Sequence, residues 1–510
     1  MERRAKIMAT LGPASSSDEV VAEMLRSGLD LVRLNLSHGT HDTHRELIRT
    51  VRRQAERLGR FIPIVLDLMG PRYRLGEIPG DHRQLREGET IRLVARAEDD
   101  RDLPLGRAEL LDHLREGERV LLDAGLVELR VIEVPPAGSS RGRGETPGVT
   151  ARVLHGGPVS SRKGINLPDS TLPFEISDKD RDDVAFAVEE RLDYLAASYV
   201  DRADDLDALR EIARAAGDEL PLIAKLERQG SIDRLDELVD ASDALMVARG
   251  DLGVEVPLHR VPVLQKEIIA AGRRQGKPVI VATQMLESMM GQPRPTRAEA
   301  SDVANAVFDG ADALMLSGET AAGDFPVAAI QVMARIIGEA EAYERRARSR
   351  ARPPGPSAPF VATGAPPSSD RRAEGPAGSD DEGAALLAIA EVVSAAAVYA
   401  ADRLPVRQII AFSQGGFTAR MVARSRPEAP VLVFTTDPRV ARRIQLVWGV
   451  RPLLMDAELE HHDEVVDVVE LQLLEAGLAD PGETIVILMG DPIHERPLTN
   501  LLRVHRLRAT

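Results

Sequence analysis

The sequence predicts an α/β protein: a (β/α)8 TIM barrel that carries an inserted β-barrel lid domain and is followed by a C-terminal α/β domain. Three observations point to it. Short β-branched apolar runs recur, each followed by a polar or Gly-rich turn and a helical pattern; one interval breaks that rhythm with strands alone; and a stretch rich in Pro, Ser, Gly and Ala sets off the last part of the chain.

The recurring runs are Ile7–Thr10, Leu31–Leu34, Ile64–Leu68, Tyr194–Ala197, Leu222–Leu226, Ala244–Ala248, Val279–Ala282 and Ala313–Leu316. Eight strand-then-helix units fit a closed barrel. An open doubly wound sheet would show the same alternation, and the count of eight is what favours the barrel. Between Arg74 and Arg162 the pattern is all β, with Thr90–Ala95, Arg119–Leu122, Val127–Val134 and Thr150–His155 between Gly- and Pro-containing turns. From Arg346 to Gly383 the composition cannot bury enough apolar surface to offset its ordering entropy, which predicts a disordered linker. Beyond it a helical pattern, Ala384–Arg403, leads into strands Gln408–Phe412, Val431–Thr435 and Thr484–Met489. The expected division is therefore barrel 1–73, inserted lid 74–162, barrel 163–345, linker 346–383 and C-terminal domain 384–510. So long a linker predicts a C-terminal domain that is less firmly docked.

Composition narrows the function. The chain has 510 residues and a formal charge of −16, with aromatics at 3%. It lacks the basic field and the stacking platforms of a nucleic-acid binder, and the basic field needed to bind an anionic membrane. There is no cysteine, which excludes disulfides, thiolate nucleophiles and zinc–cysteine or iron–sulfur sites. With no apolar leader at Met1–Thr10 and no long apolar window, a soluble cytoplasmic protein is expected. Only six of the 65 basic residues are lysines. A Lys in a cleft of so Arg-biased a chain hints that a compact ammonium is needed there.

Barrel active sites are built at the carboxyl ends of the strands. Polar groups collect there: Arg33, Asn35, Ser37 and His38 after the second run, Asp67 at the third, Lys225 and Glu227 at the fifth. Arg249, Gly250 and Asp251 follow the sixth, Thr283 and Gln284 the seventh, and Ser317, Gly318 and Glu319 the eighth. Solvated loops would explain one or two of these, not six together. Lys225 and Glu227 stand two apart on a strand and so leave on one face. Glu227 with Asp251 would offer two carboxylates to a hard divalent ion, leaving positions open for water and substrate oxygens, as Mg²⁺ prefers. A Lys225–Glu227 ion pair closing the barrel end is the alternative. Gly250 beside Asp251 lets backbone amides approach an anion, and Arg33 offers a fork for phosphate or carboxylate. His38, His41 and His44 lie at helical intervals and read more simply as a polar helix start than as a metal site. The chemistry implied is phosphoryl or enolate chemistry with Mg²⁺.

At this point the residues match a known family. Lys6–Ser15 (KIMATLGPAS), Val32–His41 (VRLNLSHGTH), Ser161–Pro168 (SRKGINLP), Lys225–Glu227 (KLE), Met246–Glu255 (MVARGDLGVE), Ala282–Met289 (ATQMLESM) and Pro295–Thr320 resemble pyruvate kinase, in order and over almost the whole chain. The C-terminal part resembles it through Ser413–Pro427 and Trp448–Val450. The resemblance implies conversion of phosphoenolpyruvate and ADP to pyruvate and ATP. It implies that Arg33 binds the phosphoryl group, that Lys225 stabilises it in transit, and that Glu227 and Asp251 hold Mg²⁺ (or Mn²⁺). It places Gly250 beside the substrate carboxylate and Thr283 on the substrate and the proton path to the enolate carbon. Asn35, His38, Arg74 and Lys163 would face the nucleotide phosphates. A homotetramer and a sugar-phosphate or nucleotide effector near Ser413–Thr418 are also implied, with a simple strand-to-helix turn as the alternative for that segment.

Departures from the family matter as well. Many members read Asp-Thr-Lys-Gly-Pro-Glu-Ile-Arg where this chain reads Asp67-Leu68-Met69-Gly70-Pro71-Arg72-Tyr73-Arg74, and use K⁺. Members with Leu beside the Asp and a tethered cation work without it. Arg72 is therefore expected to stand in for K⁺ at a pocket of Asn35, Ser37 and Asp67, the alternative being that it points into solvent. Arg228-Gln229-Gly230 replaces a common Asn-x-Glu and is expected to lie past the catalytic residues. A non-catalytic ligand-sensing paralogue, or another barrel enzyme acting on pyruvate enolate such as an aldolase, are the competing readings.

Overall fold

The computed structural model describes residues 3–99, 101–135, 148–351, 380–455, 462–490 and 499–508. Eight strands close a barrel: Lys6–Thr10, Leu31–Asn35, Ile64–Asp67, Tyr194–Ala197, Leu222–Leu226, Ala244–Ala248, Val279–Ala282 and Ala313–Leu316. All eight neighbouring pairs are parallel, and the first strand closes on the eighth. Each expected run lies within one residue of its strand. Seven of the eight strands are buried along their whole length because helices cover one side and the barrel interior fills the other.

Side-chain alternation sorts the residues into two shells. Met8, Leu31, Val65, Ala196 and Ile223 fill the interior, while Ile7, Val32, Leu66, Leu195 and Leu222 pack outward against the helices. Two residues further along the inward-facing set come Thr10, Arg33, Asp67, Ser198 and Lys225. The same alternation that builds an apolar interior thus delivers a polar layer at the carboxyl mouth.

The opposite end is closed by a fourfold device. An Asp stands immediately before each even-numbered strand, and its carboxylate accepts from the amide at the start of the preceding strand: Asp30 from Ile7 at 2.9 Å, Asp193 from Ile64 at 2.9 Å, Asp243 from Leu222 at 2.9 Å and Asp312 from Val279 at 3.0 Å. In each case the Asp amide also donates back to the carbonyl of the same residue. Buried carboxylates need compensation, and arginines supply it, with Arg52 and Arg442 on Asp193 and Arg426 on Asp312.

The insertion forms a six-stranded sheet and a two-stranded sheet around its own apolar core. It reaches further than the expected end at residue 162, because Ile165–Asn166 pairs antiparallel with Arg119–Leu122 and Ile165, Leu167 and Leu172 join the lid core. The strands His82–Leu85, Asp102–Pro104 and Gly157–Ser160 are short or polar and gave no clear alternation. The linker expected over 346–383 is too wide at both ends. A helix runs over Pro326–Ala351 and another over Asp380–Arg403, since the Arg-, Ala- and Glu-rich flanks are good helix formers; residues 352–379 lie outside the described residues.

The C-terminal sheet is ordered Val450–Leu454, Val431–Thr435, Val406–Phe412, Thr484–Met489, Leu501–Arg506, parallel except for its last strand. Contrary to the expectation of loose docking, this domain is seated on the amino end of the barrel. Arg442 meets Asp193 at 2.7 Å, Arg426 meets Asp312 at 2.9 Å, Lys6 donates to the Val450 carbonyl at 2.7 Å, and Tyr194 Oη donates to the Arg443 carbonyl at 3.0 Å. Leu446 is fully buried in the cluster that fills the barrel interior. Truncating such a residue typically costs about 2–5 kcal/mol. Leu446→Ala should therefore lower the thermal unfolding midpoint of the full chain, and an unchanged midpoint would show that this contact carries none of the docking.

Candidate active site

The mouth of the barrel is organised around Asp67, which is 1% exposed. One carboxylate oxygen accepts from Arg33 Nε at 2.6 Å; the other lies 3.2 Å from Lys225 Nζ and 3.3 Å from Ser198 Oγ. Burial alone would raise the Asp67 pKa, but the Arg33 and Lys225 charges outweigh it and hold the carboxyl below its usual value. Arg33 is steadied further by Thr10 Oγ1 at 2.9 Å. Lys225 Nζ donates to Ser198 Oγ at 2.6 Å and meets Glu227 Oε1 at 2.7 Å. Burial would lower the Lys225 pKa, yet Asp67 and Glu227 together raise it, so the ammonium stays charged. The Lys225–Glu227 ion pair weighed from the sequence is present, but it belongs to this larger network rather than merely closing the strand end.

Glu227 is also 1% exposed, and its second oxygen accepts from the Tyr199 amide at 2.8 Å. Burial pushes its pKa up to about 7, with Lys225 pulling against that and the Asp251 charge adding to it. Asp251 has no hydrogen-bond or ion-pair partner among the described residues. Two carboxylates whose charges oppose each other, one of them unpartnered, fit a hard divalent cation that takes its other ligands from water and substrate. Among the described residues no group of three or more His, Asp or Glu side chains could cage a metal by itself.

Gly250 and Asp251 lie in the helix Arg249–Glu255, which directly follows the sixth strand. The Gly250 amide donates to Thr283 Oγ1 at 2.8 Å, and Thr283 Oγ1 donates to the Ala282 carbonyl at 2.6 Å. Thr283 has φ 70° and Gln284 φ 54°, a left-handed conformation that costs a β-branched residue and is concentrated at functional sites. Arg249 holds this turn by donating to the Thr283 carbonyl at 2.7 Å while paired with Asp302 at 2.7 Å.

The nucleotide-facing candidates are placed on two walls. Asn35 pairs in register with Asp67, and its side-chain oxygen accepts from the Ser37 amide at 3.1 Å. His38 follows on the same loop, exposed, with its carbonyl accepting from His44 Nε2. His41 begins the helix His41–Arg57 and stacks on Phe186, as a polar helix start would. Arg74 stands where the chain enters the lid, and Lys163 lies beside it just before the lid strand Ile165–Asn166. Leu75 donates to the Lys163 carbonyl at 2.8 Å, Arg74 bridges to Gly164, and Lys163 Nζ is paired with Asp123 at 2.9 Å.

A cleft of about 260 Å³ separates lid and barrel, lined among others by Arg72, Arg74, Asp123, Arg228 and Asp251. Arg72 is exposed in this cleft and makes no hydrogen bond or ion pair to Asn35, Ser37 or Asp67. Asp67 is saturated by Arg33, Lys225 and Ser198 instead. Arg228, expected to lie beyond the site, lines the cleft while paired with Asp201 at 2.8 Å. Glu319, one of the strand-end groups, faces inward structurally: it accepts from the Leu286 and Ser317 amides at 3.0 and 2.8 Å. Ser413–Thr418 forms the turn from a strand into the helix Phe417–Ala423, with Gly416 at φ 79°.

Sequence reasoning missed Thr10, Ser198 and Tyr199. Thr10 and Ser198 continue the inward alternation from Met8 and Ala196, so carrying the parity to the end of the first strand and just past the end of the fourth would have found them.

The family model described as "Pyruvate kinase, barrel domain" matches residues 2–330, and the one described as "Pyruvate kinase, alpha/beta domain" matches residues 391–505. A pyruvate kinase of Mycobacterium tuberculosis is 39% identical over 511 residues, covering 99% of each chain. One of Geobacillus stearothermophilus is 37% identical over 514 residues, covering 99% of this chain and 80% of its own. The crystal structure of a pyruvate kinase from Cryptosporidium parvum aligns with TM-score 0.83 at 30% identity, covering 99% of this chain and 96% of that one.

Proposed function

Because the chain belongs to the pyruvate kinase family of phosphotransferases, we propose that its barrel mouth moves the phosphoryl group of phosphoenolpyruvate to ADP with Lys225 as the transfer residue. The observation that carries this reading is the Lys225 ammonium, 7% exposed and held by Asp67, Glu227 and Ser198 beside the Arg33 guanidinium. Two fixed cations converge where a phosphoryl group would sit, without having to reorganise when its charge redistributes.

In the transfer, the bond between phosphorus and the enolate oxygen breaks, a bond to the terminal oxygen of ADP forms, and the enolate carbon takes a proton. Arg33 binds the phosphoryl oxygens as a fork. Lys225, a point charge on a flexible stem, follows the phosphoryl group from donor to acceptor oxygen. Glu227 and Asp251 hold Mg²⁺ (or Mn²⁺), which when bound supplies positive charge to the substrate oxygens. The Gly250 amide faces the substrate carboxylate, and the Thr283 hydroxyl, aimed by its strained turn, hands on the proton. Asn35, His38, Arg74 and Lys163 take the nucleotide phosphates from the two walls of the cleft. We extend the proposal to independence from K⁺. Leu68 is buried in the shell packed against the helices, and Arg72 already brings a tethered positive charge into the cleft.

Two outcomes are expected. In an assay coupled to pyruvate reduction, Lys225→Met should lose about 10²–10³-fold or more in kcat, the scale of removing a charge-stabilising donor; Mn²⁺ binding, followed by electron paramagnetic resonance, should persist. Turnover retained in this variant would sink the assignment. Initial rates in tetramethylammonium buffer should also change little on adding KCl, whereas many-fold activation would remove the Arg72 reading.

A further inference from the structure

Away from the barrel mouth, a cavity lies in the seam between the barrel and the C-terminal domain. Its charged lining is lopsided: Arg273 and Lys277 from the barrel, Arg420, Arg424 and Arg426 from the C-terminal domain, and a single carboxylate, Asp312. Asp312 is already committed. One of its oxygens accepts from the Val279 amide, and the other from Arg426 Nη1 and the Trp448 amide. Glu391 offsets Arg424 from outside the cavity at 2.9 Å. The Arg420 guanidinium has no hydrogen-bond or ion-pair partner among the described residues.

Two further donors are stranded. Arg426 is 5% exposed, yet its Nε is buried with nothing to bond, and the Arg273 Nε is in the same condition. Lys277 donates to the Ser242 carbonyl at 2.6 Å, and burial lowers its pKa against the opposing Asp243 charge, with the nearby Arg420 charge adding to the fall. Buried unpaired donors call for a water or an ion. Water would satisfy the hydrogen bonds but leave the excess charge; an anion satisfies both. Guanidinium forks arriving from two sides suit a tetrahedral oxyanion, whose several oxygens accept in different directions. The cavity holds about 10 Å³, room for one water-sized group, within about 210 Å³ of space that includes open solvent. A tetrahedral oxyanion would therefore place one oxygen inside and keep its remainder on the solvent side.

We propose that this seam is an anion site for a phosphoryl-type oxyanion, with Arg420 and Lys277 as its facing donors from the two domains. The source is either inorganic phosphate or the phosphoryl end of a small metabolite. Because both domains contribute, the bound anion strengthens their docking and raises the stability of the folded chain by mass action.

The test is the unfolding midpoint and titration calorimetry of the full chain with inorganic phosphate, against chloride at matched ionic strength, repeated with ribose 5-phosphate. Phosphate should raise the midpoint. Arg420→Ala and Lys277→Met should each weaken binding at the seam by about tenfold or more, the scale of one lost charge-assisted contact, and leave basal turnover in place. Arg420→Ala removes a guanidinium with no hydrogen-bond or ion-pair partner among the described residues, and Lys277→Met probes the same site from the barrel side. Tighter binding of ribose 5-phosphate, lost in both variants, identifies a metabolite as the source; equal binding identifies inorganic phosphate. Absence of binding, or a midpoint rise equal in wild type and both variants, overturns the proposal.

Discussion

One buried carboxylate governs this molecule's chemistry. Asp67 sits at the end of the third strand with Arg33 on one oxygen and Lys225 on the other. Without a negative charge between them, two cations at the floor of a low-dielectric pocket would repel each other. With it, both are fixed before any ligand arrives. A −16 protein can therefore bind polyanions, because its decisive positive charge is local and held in place.

That arrangement needs a rigid frame, and the amino end of the barrel supplies one. The four aspartates that precede the even-numbered strands tie the strands together in pairs, and the C-terminal domain reaches two of them through Arg442 and Arg426. The third and fourth strands, which carry Asp67 and lead into Ser198 and Tyr199, are joined at their start by Asp193. Charges thus sit at both ends of the barrel for different reasons. At the mouth Asp67 fixes two cations in place, and at the base the four aspartates each accept from a strand amide and hold structure.

Much of this was legible in the sequence. The barrel strands followed from apolar runs buried on both sides, and the network residues Arg33, Asp67, Lys225 and Glu227 from their position at strand ends. Ser198 was not found, because it lies beyond the last apolar residue of its strand and only the alternation points to it. The aspartate pairs were also overlooked, although Asp30, Asp193, Asp243 and Asp312 each stand directly before an even-numbered strand; a single Asp in a turn carries no signal, and only the fourfold recurrence does. Long-range facts were out of reach. The exposure of Arg72 in the cleft, the Arg228–Asp201 pair, the extension of the lid through Leu172 and the seating of Leu446 in the barrel depend on which segments meet in space, and local composition does not encode that.

The central claim is that Asp67 is required because two cations face it, and a double replacement tests this most directly. Breaking a buried ion pair costs about 3–5 kcal/mol, so Asp67→Asn should lose stability on that scale in denaturant unfolding. Adding Lys225→Met to it should restore a large part of the loss by removing one of the opposed charges. An Asp67→Asn chain as stable as the parent, or one that Lys225→Met does nothing to rescue, would contradict the account.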